Sequence, residues 1–446
     1  MKNSLLSLLA LVSSLGTPLF AAGDALTLRV APEREWLVRG ASREVLVQVE
    51  LEGRRPEQPQ RTPMNLALVL DRSGSMAGAK LEKARQAACV AIDQLGPDDF
   101  VSLIVYDNNA EVLVPSQKLD SRDRDAIKRR IERIQPGGGT AIYSGVQLGA
   151  QQLRKHLDRE RVNRVILLSD GIANVGPSRT SDLTDLGRHL RQDGMSVSTI
   201  GLGDDYNEDL MAGLAEASAA NYYYVQDSEK LPKIFEDELG SARSIVARSV
   251  TIRIQAPKGV RIREILGHPE IVCGDNLAEI TLPEYFGTLK RRFLARCEVT
   301  EGRTESTEVA AVELKYEDSA SGKSAQQEQK AVVRFTEETA KSEASIQSEV
   351  AKEANVWRNR DAKERALKLA EEGKPQDAAK VIRQQLAAYK AAPVSAKPAA
   401  VSSDIRALEA VADTLEVGRS LPKGVVKQMK AESFQDKNAS RAPLSK

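Results

Sequence analysis

From Met64 to about Gly240 the chain alternates short, unbroken apolar runs with longer segments whose apolar residues recur every three or four positions. Unbroken runs suit strands buried on both faces of a parallel sheet, and the longer period suits helices that cover such a sheet. The runs predict strands over Asn65–Leu70, Phe100–Tyr106, Val162–Ser169, Val197–Gly201 and Tyr222–Val225, with a short one near Ala110–Val114. Between them the period predicts helices over Ala79–Leu95, Arg122–Ile134, Ala141–Leu157, Ser181–Asp193, Glu208–Ala217 and Ser228–Ala242. The expected fold class is therefore α/β, a doubly wound and mostly parallel sheet.

Outside this block the pattern changes to strict alternation. Leu26–Val30 and Glu44–Leu51 precede it, and Ser249–Gln255, Val260–Leu266, Ala278–Leu282, Leu289–Val299, Glu308–Lys315 and Lys330–Phe335 follow it. Alternation describes strands with one wet face, whose natural home is an antiparallel β-sandwich. Since such strands lie on both sides, we expect one discontinuous sandwich, residues 24–62 and 244–336, with the block 63–243 inserted into it. From Glu337 the chain turns helical and charged. Ala362–Tyr389 reads as two helices parted by Glu372-Gly373-Lys374-Pro375, and this region, 337–391, resembles a single tetratricopeptide-type hairpin. One such unit cannot bury its face unaided, so it should pack on a neighbour. Residues 392–446 read as an Ala/Pro/Ser/Val linker, a short helix near Ile405–Leu415 and a polar, slightly basic tail expected to be mobile.

Composition narrows the function classes. A chain of 446 residues with 41% hydrophobic residues supports two or three real cores. Its 64 Lys and Arg against 63 Asp and Glu leave no global field to attract nucleic acid. Residues 1–23 carry one basic residue, Lys2, then the apolar run Leu5–Val12 and a small-residue exit, the pattern of a secretory signal peptide. That run is too short for a comfortable membrane span, and no later segment approaches spanning length. The mature protein is expected in the periplasm of a double-membraned bacterium, or otherwise secreted. Of the three cysteines, Cys89 falls on the apolar stripe of a predicted helix and should be a buried small hydrophobe. Cys273 and Cys297 fall in the β-rich region and could pair in an oxidising compartment.

The candidate chemistry sits where the first strand of the block ends. Leu66-Ala67-Leu68-Val69-Leu70 runs into Asp71-Arg72-Ser73-Gly74-Ser75-Met76, one carboxylate and two hydroxyls at the strand end where open α/β sheets place ligands. Oxygen donors of this kind select Mg²⁺, Mn²⁺ or Ca²⁺ over thiophilic metals. By itself, Asp-x-Ser-x-Ser equally describes an Asx-turn or a helix N-cap. The pattern resembles the metal-ion-dependent adhesion site of von Willebrand factor type A domains, in which a Thr and an Asp from two later loops complete the set. Pro136-Gly137-Gly138-Gly139-Thr140-Ala141-Ile142 offers Thr140, and Arg164-Val165-Ile166-Leu167-Leu168-Ser169-Asp170-Gly171 offers Asp170. Leu95-Gly96-Pro97-Asp98-Asp99-Phe100-Val101-Ser102 also looks like the family's entry to its second strand.

The resemblance implies that Ser73 and Ser75 bind an ion directly, that Asp71 and Asp170 act mostly through water, and that Thr140 joins or leaves the inner shell. It implies Mg²⁺, with Mn²⁺ or Ca²⁺ as alternatives, and a protein partner whose Asp or Glu carboxylate completes the coordination. It also implies a switch in which the last helix, Ser228–Ala242, shifts. The flanking architecture is similar to bacterial secreted proteins of this family, and more distantly to inter-alpha-trypsin-inhibitor heavy chains and calcium-activated chloride channel regulators. Loop position makes Arg72, Met76, Tyr143, Asn174 and Val175 candidates for partner contact.

An enzyme is not expected. His156, His189 and His268 have no metal-ligand spacing, and Ser75 is not in a Gly-x-Ser-x-Gly elbow. No Gly-Lys-Ser/Thr follows Gly137–Gly139, so these glycines are not a phosphate loop. The expected function is a metal-dependent protein-binding module. The alternative is a scaffold whose ion only braces the loops while the sandwich or helical hairpin binds the partner. Metal-assisted hydrolysis is a distant third.

Overall fold

A computed structural model describes residues 25–437 apart from 41–43, 55–61, 120, 243–244, 269–270, 288, 300–305 and 393–400. The expected signal peptide and most of the expected linker lie outside the described residues. Three strands, β1 (Leu26–Pro32), β2 (Trp36–Val38) and β3 (Glu44–Gly53), precede the α/β block. The block runs β4 (Met64–Asp71), α1 (Ala79–Gln94), β5 (Phe100–Tyr106), β6 (Ala110–Lys118), α2 (Ser121–Glu132), α3 (Ile142–Arg154), β7 (Val162–Ser169), α4 (Thr180–Gln192), β8 (Ser196–Leu202), α5 (Glu208–Ala217), β9 (Tyr222–Val225) and α6 (Leu231–Ala242). Six strands follow: β10 (Ile245–Gln255), β11 (Val260–Ile265), β12 (Leu277–Phe286), β13 (Lys290–Val299), β14 (Ser306–Asp318) and β15 (Ser324–Thr336). The helices α7 (Thr339–Ala344), α8 (Ser348–Glu371), α9 (Pro375–Ala391), α10 (Val401–Glu416) and α11 (Lys423–Lys437) complete the order.

The doubly wound sheet expected from the apolar runs is present, in the order β6-β5-β4-β7-β8-β9. Every pairing in it is parallel except that of the edge strand β6 with β5. All eight residues of β4 and all eight of β7 are buried, because helices cover both faces. Leu66, Leu68 and Leu70 pack with α1, α2 and α6, whereas Ala67 and Val69 pack with α3, α4 and α5. Helix α3 lies unusually close to the sheet: a Cβ on Gly145 would stand 2.9 Å from the Tyr106 ring, and one on Gly149 would stand 2.9 Å from Val69 Cγ2. Only glycine permits that approach, which fixes where the start of α3 is presented.

Strands from both flanks of the block share two largely antiparallel sheets, β1-β3-β13-β11 and β12-β10-β14-β15-β2. β3 pairs with β13 from Glu52 opposite Lys290 to Glu44 opposite Glu298, and β2 adds in parallel to β15. One apolar core joins the two sheets, including Leu26, Leu28, Val47, Val49, Ile252, Leu314 and Val333. Cys297 belongs to that core, and burial pushes its thiol up to about 12. Cys273 turns its Sγ to the Ile271 carbonyl, and both cysteines are free thiols in this structure. Cys89 is half-buried against the core of the block.

Helix α8 is longer than the pattern predicted, beginning at Ser348 rather than near Ala362. Its first half covers the sandwich, where Val350, Ala354 and Trp357 meet Leu46, Leu266 and Leu294. Its second half packs with α9, α10 and α11 around Leu367, Ile382, Leu386, Leu415 and Met429. Of the tail expected to be mobile, Lys423–Lys437 form α11, docked on the α/β block, and residues 438–446 lie outside the described residues. Ala431 and Phe434 enter the α3–α5 core, and Phe434 meets the Tyr222 ring edge-on at 5.6 Å. Lys427 Nζ donates to Glu208 at 2.5 Å and to the Tyr206 carbonyl at 2.6 Å, and Lys430 Nζ donates to Asp209 at 2.9 Å. The basic residues of α11 thus face the acidic first turn of α5, where carboxylates also suit the helix's positive end. Among the described residues no helix is long and apolar enough to cross a membrane.

Candidate metal centre

Local sequence brings the chain to the site through β4, which carries Asp71 to the C-terminal edge of the sheet beside Tyr106 of β5. A single 3-10 turn, Gly74–Met76, then reverses the chain into α1. The loop before α3 is laced to this turn, with the Gly74 amide on the Gly138 carbonyl at 2.9 Å and the Gly137 amide on the Arg72 carbonyl at 2.6 Å. The third loop, after β7, is tied in through Asn174, whose Oδ1 accepts from the Thr140 amide at 2.8 Å.

These loops gather the five residues singled out in the sequence. Asp71 is fully buried; its Oδ1 accepts from the Ser73 amide and its Oδ2 from Ser169 Oγ, both at 2.7 Å. Ser73 Oγ lies 3.1 Å from Ser75 Oγ, and Ser75 Oγ donates to Asp170 Oδ1 at 2.7 Å. Thr140 and Ser75 converge beside Gly171, where a Cβ would lie 3.3 Å from Thr140 Oγ1 and 3.5 Å from Ser75 Oγ. Asp71, Ser73, Thr140 and Asp170 are buried, while Ser75 is exposed at the rim.

The electrostatics follow from that burial. Loss of water pushes the Asp71 carboxyl up from its ordinary 3.8 to about 6. Hydrogen bonds from Ser73 and Ser169 oppose the rise, and the nearby charge of Asp170 adds to it. Two carboxylates and three hydroxyls, with no nitrogen or sulfur donor, make an all-oxygen set suited to a hard cation. The position beside Gly171, where Thr140 Oγ1 and Ser75 Oγ converge, is where such an ion would sit. Ser73, Ser75 and Thr140 would hold it through hydroxyls, and Asp71 and Asp170 through carboxylates.

The residues expected at a partner contact divide. Met76 is fully buried in the core under α1, because the 3-10 turn swings it inward directly after Ser75; it cannot touch a partner. Tyr143 is half-buried against the α3 core. Arg72 is braced by Asp107 at 3.1 Å and Glu111 at 3.4 Å. Asn174 is exposed but holds Thr140, and Val175 is half-buried beside Gly139. Three participants escaped the sequence reading: Ser169, which holds Asp71; Lys80, whose Nζ donates to Asp170 Oδ2 at 2.5 Å; and Ile172, 61% exposed two residues after Asp170. Ser169 and Ile172 flank the Asp170 motif and could have been found there, but nothing local marks Lys80.

Residues 65–237 match the von Willebrand factor type A domain. An uncharacterised protein of Synechocystis sp. is 34% identical over 181 residues, covering 41% of this chain and 42% of that protein. The inter-alpha-trypsin inhibitor heavy chain H2 of Mus musculus is 30% identical over 198 residues, covering 42% of this chain and 21% of that one. The chain therefore spans less than half the length of these curated relatives. In structure, it is similar to a von Willebrand factor type A protein of Catenulispora acidiphila, with a TM-score of 0.70 and 19% identity over 93% of this chain and 98% of that one. That likeness reaches well beyond the α/β block and concerns the fold alone. Von Willebrand A domains commonly bind a divalent cation, and residues 65–237 of this chain form one.

Proposed function

We propose that this chain is a divalent-metal-dependent protein-binding module of the cell envelope. The observation that carries this reading is the convergence of five oxygen donors from three loops at one rim of the sheet, with Ser75 facing solvent. Mg²⁺ is the favoured ion, with Mn²⁺ and Ca²⁺ as alternatives. The ion would offer a Lewis-acidic position to a partner's Asp or Glu carboxylate, and the exposed Ile172 would give that partner an apolar contact beside it. Our reading is binding rather than catalysis, and it is supported by two histidines engaged in packing: His156 stacks on Phe100 at 3.8 Å and His268 lies against Phe293 at 5.3 Å. An envelope location rests on the signal-peptide pattern of residues 1–23, with the periplasm as the compartment in a double-membraned bacterium.

A second reading is favoured by a cleft of about 1220 Å³ between the sandwich and α8–α9, lined by residues including Leu37, Leu46, Arg263, Trp357 and Gln385. In that reading the partner sits in the cleft and the ion only braces the loops. One paired experiment separates the two. Capture of envelope proteins on immobilised chain is measured with Mg²⁺, with chelator, and with Ser73→Ala. The proposal expects capture to fail with chelator and with Ser73→Ala while the fold persists. Unchanged capture by folded Ser73→Ala, with only a lower melting temperature, supports the bracing role instead.

A further inference from the structure

Lys80 stands in the first turn of α1, and its ammonium lies 2.5 Å from Asp170 Oδ2. The Asp170 side chain is fully buried, whereas that of Lys80 is 35% exposed. Ser75 Oγ engages the other oxygen of Asp170, so one oxygen of this carboxylate faces a candidate metal ligand and the other faces a fixed positive charge. The loop after β8 approaches the ammonium, since a Cβ on Gly203 would stand 3.7 Å from Nζ. Ser73, Ser75 and Ser169, which also hydrogen-bond the site's two carboxylates, are neutral.

We propose that Lys80 is an internal counter-ion of the metal centre, competing with the divalent cation for Asp170 and so setting the affinity of the site. This inference rests on the metal-binding reading above. Two carboxylates brought this close gain from any cation, and one ammonium supplies part of what a divalent ion would. A second cation entering beside Asp170 meets the first, and either shares the carboxylate with it or displaces it. Lys80 thereby keeps the carboxylates paired when the ion is scarce and weakens the ion's hold when it is abundant. It is a positioning residue, acting on the ion through Asp170.

The test uses the full chain freed of metal by chelator and dialysis. Isothermal titration with MgCl₂ and with MnCl₂ is run on wild type, Lys80→Met and Lys80→Arg, together with thermal melts in chelator and at saturating ion. Lys80→Met should bind Mg²⁺ about tenfold more tightly, melt below wild type in chelator, and close that gap at saturation. Lys80→Arg keeps the charge and should stay near wild type. A purely structural lysine would lower the melting temperature equally with and without ion and leave Kd alone; that result, or weaker binding by Lys80→Met, overturns the inference. If Lys80→Met does not fold, Lys80→Gln replaces it with the same expectations. Absence of binding by every variant defeats the metal-binding reading itself, whereas ordinary binding with identical Kd values defeats only the role of Lys80.

Discussion

Asp71→Asn should make the protein more stable in chelator and nearly blind to added ion. Asp71 is fully buried with its carboxyl at about 6 against an ordinary 3.8. Between those two pH values the folded chain holds the proton more often than the unfolded chain does. Stability therefore falls as pH rises through this window, and the cost is fully present above about 6. At about 1.4 kcal/mol per pH unit, the rise amounts to about 3 kcal/mol at neutral pH. Asparagine keeps the shape: its Oδ1 can accept from the Ser73 amide and its Nδ2 can donate to Ser169 Oγ, which is also an acceptor. It removes the buried charge and the repulsion with Asp170, so it should recover about 1–3 kcal/mol of that cost. The assay is urea unfolding in chelator at a series of pH values from about 4 to 7, wild type against variant. Relative to the variant, wild type should lose stability as pH rises across the series. Saturating Mg²⁺ should then raise wild type, by about 2.7 kcal/mol at a hundredfold excess over Kd, and leave the variant almost unmoved. A variant less stable than wild type in chelator at pH 7, or one with the same pH profile, refutes the argument that buried charge at Asp71 is held at a cost.

Three further outcomes test the scaffold around the site. Glu238 is buried with Arg164 at 2.7 Å; burial would raise its carboxyl, but Arg164 and hydrogen bonds from Ser198, Asn221 and Tyr223 hold it below the ordinary range. Glu238→Gln removes the carboxylate that pairs with Arg164 and should cost about 3–5 kcal/mol in urea unfolding, with Mg²⁺ affinity unchanged. Gly149→Ala places a Cβ 2.9 Å from Val69 Cγ2 and should cost about 1–3 kcal/mol. Because α3 begins just after Thr140, that variant should also weaken Mg²⁺ binding by calorimetry. Phe434→Ala removes the ring that anchors α11 on Tyr222, and should speed limited proteolysis in the connection around Val417, which is already 68% exposed.

The five oxygen donors were legible because each is announced by its own short context: a continuous apolar strand before Asp71, a glycine run before Thr140, another apolar strand before Asp170. Met76 was misplaced for the same reason. Adjacency to Ser75 suggested the rim, but a 3-10 turn rotates successive side chains by a third of a turn, and Met76 falls on the core side. The docked tail was illegible because its partners are distant in the chain. Lys427 and Glu208 are 219 residues apart, and Lys430 and Asp209 are 221 apart, so each lysine alone read as a solvated charge. Lys80 was missed likewise, 90 residues from Asp170.

The sequence by itself determined the kind of element at most positions and the donor types at the candidate site, since hydrophobic period and donor type are properties of a few neighbouring residues. Continuous runs made β4 and β7 central strands, and hydroxyl and carboxylate donors made the strand end a hard-cation candidate. Only the tertiary structure decided which elements meet. It paired β3 with β13 across the inserted domain, laid α11 on α5, and set Lys80 against Asp170. Such pairings depend on how whole layers cross in space, where burial of apolar faces selects the arrangement and the charges settle opposite whatever partners that packing provides.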